Sequence, residues 1–216
     1  MNDIALCQLS NNAYSEKIVS VGDNVTKIVD IGTDTECFII SNHREQTIVF
    51  RGTEITSIKD LKTDLKFKSK NGFHEGFYEA FLSIKSELFS NIDLNKKTYI
   101  TGHSLGGALA IITTIHLPIQ NKYCVTFGSP RVVTNEITKQ LKDVEKKIFR
   151  YENVGDPVPY LPPYMMGYRH IGTLLKGGSH FDLIFTSLEN QLNAHQIDNY
   201  LKDFYLWFLK QSVKLK

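Results

Sequence analysis

The sequence predicts an α/β fold in which a mostly parallel central sheet has helices between its strands. Short apolar runs rich in β-branched and aromatic residues alternate with amphipathic stretches along the chain. A central succession of strand, helix, strand, helix, strand calls for parallel strands joined by right-handed crossovers. A tight junction at residues 99–107, YITGHSLGG, joins one such strand to one such helix.

Taken in order, a first helix starts near Asp3, followed by strands over ECFIIS (36–41) and QTIVF (46–50). FHEGFYEAFLSIKSELF then places Phe73, Phe77, Phe81, Ile84 and Leu88 three or four residues apart, giving one apolar helix face. The next strand is TYIT (98–101), with a helix from Leu105 that Pro118 ends. KYCVTF (122–127), a helix near Thr134, IFRYENV (148–154) and HIGTLL (170–175) follow, and a last helix starts near His195. Antiparallel strands are expected at the sheet edges.

Length and composition narrow the function classes. A chain of 216 residues suits a single domain over 1–216 that buries roughly 70% of its unfolded surface. With 42% hydrophobic and 22% charged residues it reads as an ordinary globular protein. A net charge of +2 gives no reason to expect a nucleic-acid partner. Cys7, Cys37 and Cys124 sit among apolar neighbours, so buried reduced thiols are expected rather than disulfides or a metal site. The opening residues MNDIALCQLSNNAYSEK show neither a basic nor an apolar segment of a secretory signal, which makes a cytoplasmic location the expectation. Residues 98–121 carry no charge apart from two histidines, but glycines interrupt the run and its helical piece is too short for a bilayer of about 30 Å.

Gly102-His103-Ser104-Leu105-Gly106 fits G-x-S-x-G in the context that motif needs, after a strand and before a helix. The glycines remove side chains that would clash in a sharp reversal, and the helix start aims N–H groups at a developing oxyanion. The alternative is a glycine-rich turn with a capping serine. An unassisted serine is a weak nucleophile, so a histidine base and an orienting carboxylate are required, in the order Ser, acid, His. Asp156 directly follows a strand in the proline-stiffened loop VGDPVPYLPP and is preferred to Asp182 after a flexible GGS segment. A turn aspartate before Pro157 is the competing reading. For the base, His170 opens a strand and points along the sheet, whereas His180 and His195 both lie where a side chain can swing toward the serine. Local sequence leaves those two as rivals, and gives His103 a packing role.

FRGTEITSIKDLKTDL, FHEGFYEAF, ITGHSLGGALA with FGSPRV, and YENVGDPVPYLPP with YRHIG and AHQIDNY together resemble the class 3 lipase family over residues 49–200. The resemblance implies an α/β-hydrolase fold with helices on both faces of the sheet, and a Ser104, Asp156, His195 triad. It also implies an oxyanion hole from Thr53 and the Leu105 N–H, and in favour of His195 it decides the rivalry, because Tyr200 follows at the family's place. His170 matches a structural position instead. Gly52 admits the close approach of backbone, Thr53 can donate to the acyl oxygen, and each such donor is worth about 3 kcal/mol in the transition state. Asp64 is a candidate to orient the Thr53 hydroxyl.

Residues 54–70 fall where the family carries a lid. Ile55, Ile58, Leu61 and Leu65 share a helical face with lysines opposite, so this segment is expected to cover the acyl pocket and to open on a lipid surface, an ordinary core-facing helix being the alternative. Leu61 stands where the family often has an aromatic residue, and no cysteine pairs match the disulfides of its secreted members. The expected activity is hydrolysis of triacylglycerol or other acyl esters through an acyl-enzyme, with no metal and no cofactor. The expected partners are a lipid or ester substrate and, transiently, a membrane or lipid-droplet surface. A phospholipase A or acyltransferase, and a lipid-binding module without activity, are the rival readings.

Overall fold

The computed structural model describes residues 1–15, 18, 24–53, 68–176 and 187–214, with only the backbone for residue 188 and for residues 207–214. In chain order its strands are β1 Asn24–Asp30, β2 Thr35–Ser41, β3 Glu45–Phe50, β4 Ser69–Lys70, β5 Phe73–His74, β6 Lys97–His103, β7 Lys122–Phe127, β8 Val133–Thr134, β9 Ile148–Tyr151, β10 Tyr168–Arg169 and β11 Thr173–Lys176. The longer helices are α1 Asp3–Asn12, α2 Glu75–Ser90, α3 Leu105–His116, α4 Leu188–His195 and α5 Ile197–Lys214.

Among the described residues, seven strands form one sheet in the order β1-β2-β3-β6-β7-β9-β11. β1 to β3 are an antiparallel meander, and every pairing from β3 to β11 is parallel. The alternation of side chains along each strand divides two cores. On β6, Ile100 packs with Phe81 of α2 and Leu109 of α3 on one face. Its neighbour Tyr99 packs with Leu6 of α1 and Tyr200 of α5 on the other. Helices therefore cover both faces, as expected for strands that are apolar on each side. β10, β8, β5 and β4 form a small second sheet.

Because β3, β6, β7 and β9 run the same way, their carboxyl ends share one edge of the sheet. Thr53, Ser104, Gly128 and Asp156 all follow those ends, which is where open α/β sheets bind ligands. The three cysteines are buried and free. No helix among the described residues is long and apolar enough to cross a membrane.

Candidate active site

Ser104 stands between β6 and α3 with φ 57° and ψ −126°, a backbone conformation that costs a non-glycine residue about 1–3 kcal/mol and persists only where its surroundings impose it. They do so through contacts that admit no extra carbon. A Cβ at Gly102 would lie 2.3 Å from the Gly106 carbonyl carbon, and one at Gly106 would lie 2.4 Å from the Phe50 carbonyl oxygen. The second contact presses the start of α3 onto the end of β3, and a Cβ at Gly52 would lie 2.5 Å from His103 O, so Arg51 and Gly52 pass directly against the elbow. The Ser104 N–H donates to Phe127 O at 3.0 Å, tying the bend to β7. Leu105 opens the helix, so its N–H has no carbonyl four residues back within the helix.

Asp156 is fully buried in the loop after β9, behind Gly155 at φ 83°. Its carboxylate accepts three bonds: from Val158 N at 2.9 Å, from the Tyr200 hydroxyl at 2.6 Å, and from His195 Nδ1, which lies 3.0 and 2.9 Å from its two oxygens. Three donors aimed at one carboxylate fix its orientation in the loop. The Tyr200 hydroxyl, buried beside that charge, is held in its protonated state with its pKa pushed well up. Gly128 is the floor of this cluster, since a Cβ there would meet Asp156 Oδ2 at 2.8 Å and His195 Nδ1 at 3.1 Å.

The loop has its own foundations. Arg131 donates to the carbonyls of Tyr160 and Pro162, and His170 Nε2 donates to Pro159 O at 2.7 Å. Below them Arg150 and Glu152 form a buried ion pair at 3.2 Å. Desolvation, reinforced by Arg150, drives the pKa of His170 well below the ordinary histidine value, so it serves as a neutral strut.

His195 is 5% exposed and ends α4. A carboxylate only accepts, so the bond to Asp156 places the proton on Nδ1 and leaves Nε2 with its lone pair. Nε2 is buried without a hydrogen-bond partner among the described residues. A buried serine on a strained bend, an imidazole whose Nε2 is uncommitted among the described residues and a fully buried carboxylate behind it are the groups that activating a hydroxyl requires.

The family described as lipase (class 3) matches residues 47–166, more than half of the chain. The chain belongs to the class 3 lipase family. Within it, a secreted mono- and diacylglycerol lipase 1 from Fusarium solani is 27% identical over 68% of this chain and 48% of its own length. A lipase from Rhizomucor miehei is 30% identical over 64% of this chain and 44% of its own. The chain thus spans about half the length of these relatives. Among solved structures, a triacylglycerol lipase described as having a serine protease triad for its catalytic centre matches with TM-score 0.69 at 23% identity, over 81% of this chain and 79% of that one. That likeness gives this member of the family the α/β-hydrolase fold.

Of the residues predicted for this family member, Asp156 and His195 are in contact, and Ser104 and Leu105 sit together at the elbow. Thr53 lies exposed beyond β3. Ile55, Ile58, Leu61 and Leu65 of the expected lid lie outside the described residues, as do Asp64, His180 and Asp182. The last helix starts near His195 as expected, at Ile197, and His195 itself ends a further helix that Ser187 caps by accepting from Asn190 N; no glycine or proline marks the break at Gln196, where ψ turns to 135°. One expectation needs correction. His170 opens no strand, because its ring is committed to Pro159 O and β11 begins only at Thr173. Three site residues went unread. Tyr14 belongs to no motif, Asn153 lies in the stretch YENVGDPVPYLPP without being given a role, and His103 was given only packing, although both its ring nitrogens are engaged: Nδ1 with the Tyr14 hydroxyl at 2.8 Å and Nε2 with His195 O at 2.6 Å.

Proposed function

We propose that this chain hydrolyses carboxylic esters of acyl lipids through an acyl-enzyme formed on Ser104. The observation that carries the proposal is the buried bond from His195 Nδ1 to Asp156, with Ser104 held on its strained bend at the same edge of the sheet. The Ser104 hydroxyl attacks the ester carbonyl while His195 Nε2 takes its proton. Asp156 keeps the imidazole in the tautomer that makes this possible and stabilises the imidazolium. The oxyanion is held by the Leu105 N–H at the positive end of α3 and by Thr53. Collapse expels the alcohol with the proton from His195. A water, deprotonated by the same nitrogen, then releases the acid and restores Ser104.

The acyl-lipid class rests on family membership and on relatives named as mono- and diacylglycerol or triacylglycerol lipases. Contact with a membrane or lipid-droplet surface is a finer part of the reading, supported by the apolar and basic pattern of residues 54–70. A reducing compartment is supported by three buried, free thiols. Incubation with a fluorophosphonate probe and turnover of a short-chain ester test the core of the proposal. Wild type is expected to be labelled and to turn over ester, and Ser104→Ala to lose labelling and about a millionfold in kcat. A folded wild type that does neither would refute it.

A further inference from the structure

The last carbonyls of a helix have no partner within it, and a buried helix end must find donors elsewhere. α4 ends at His195 and is buried there, so the donors that meet its carbonyls also fix where the His195 ring sits. Asn153 Nδ2 donates to Ala194 O at 3.1 Å. Asn153 lies on the same loop as Asp156, and its N–H donates to the Tyr200 hydroxyl at 3.0 Å. The next carbonyl, His195 O, accepts from His103 Nε2 at 2.6 Å. His103 directly precedes Ser104. One carbonyl is therefore tied to the loop of the acid and the other to the strand of the nucleophile.

We infer that His103 is a positioning residue for the reaction, holding the backbone of His195 at a fixed distance from the elbow, with Tyr14 and Asn153 completing the brace. The inference rests on the reading of His195 as the general base. A carbonyl can only accept, so His103 carries its proton on Nε2, and its Nδ1 accepts from the Tyr14 hydroxyl. That donor sets the tautomer, as a second partner does for an imidazole whose first nitrogen is committed. The same hydroxyl lies 2.0 Å from where a Cβ on Gly52 would stand, so Tyr14 also rests on the residue before Thr53. The rings of His103 and His195 are 4.6 Å apart between centroids. Desolvation pushes the pKa of His103 well below the ordinary value, and the nearby His195 adds to this, so no second positive charge opposes the imidazolium that forms on His195.

Kinetics of the full chain on a soluble short-chain ester, with thermal unfolding measured alongside, test the brace. His103→Phe keeps a ring but removes both bonds, and is expected to lower kcat about 10- to 100-fold with KM within about twofold, the effect of a small misplacement of a catalytic group. His103→Gln retains an N–H donor that can reach His195 O and is expected to recover most of the loss. Tyr14→Phe should lower kcat by a smaller factor. A His103→Phe enzyme with wild-type kcat, or a His103→Gln enzyme as slow as His103→Phe, would overturn the inference while the proposed reaction stands. If His103→Phe does not fold, Asn153→Ala decides: a fall in kcat at unchanged KM supports the brace, and wild-type kcat overturns it. A wild type without hydrolase activity would end both readings.

Discussion

Ser104 and His195 occupy the same edge of one sheet, yet they are held there by different means. The serine sits at a bend shaped by Gly102 and Gly106 between the strand and the helix on either side, and wedged against the backbone of β3 and β7. The histidine hangs from the end of a short helix, fastened by Asp156 39 residues back and by His103 92 residues back. The first arrangement is steric, enforced by backbone that cannot yield. The second is polar and distant, made of bonds that exist only when the whole chain has folded. A site built this way can lose its base without losing its nucleophile.

The sharpest way to break the comparison is to remove the polar half. Asp156→Asn takes away the charge behind His195 and permits the wrong tautomer, while leaving the elbow untouched. It is expected to lower kcat about ten-thousand-fold, measured by ester turnover. A loss below about tenfold would mean that the imidazole is held without its carboxylate.

Attacking the steric half should show up as stability rather than chemistry. Gly102→Ala puts a carbon 2.3 Å from backbone atoms of Gly106, which cannot move without shifting α3. The expected cost is about 3 kcal/mol or more, read as a fall of about 10 °C in Tm or loss of soluble protein. An unchanged Tm would mean that the bend relaxes easily and is not what holds the serine.

The same contrast explains what was legible in the sequence. The elbow could be read because its glycines, its strand and its helix are adjacent along the chain. The strands 122–127 and 46–50 were plain for a similar reason, their apolar side chains lying in unbroken runs. β1 was missed because only Ile28 in NVTKIVD is buried, which leaves an edge strand looking like a polar loop. IFRYENV was read three residues too long, since Glu152 and Asn153 are buried for their bonds to Arg150 and Ala194 rather than for a ladder. His180 and His195 could not be separated by local physics, because what selects a base is the company it keeps in the fold. Tyr14 and Asn153 had no local signal for the same reason.

A smaller effect sharpens the comparison at a third place, where a histidine caps a helix instead of serving the site. His74 precedes α2, 2% exposed between Phe77 and Tyr168, and its Nε2 has no hydrogen-bond partner among the described residues. Desolvation lowers its pKa to about 4. Above the unfolded value of about 6.5 the ring is neutral in both states and stability is unaffected by pH. Below it the unfolded chain takes up a proton that the folded chain refuses, so stability falls with pH until the folded value is reached, by about 2 kcal/mol at pH 5. Thermal unfolding at pH 7 and pH 5 should therefore show a drop that is shallower in His74→Leu, even though that variant starts lower for want of its weak cap on Phe77 N. Equal drops in the two proteins would mean that His74 is protonated within the folded state, and that the cap position, unlike the elbow, yields enough to let water in.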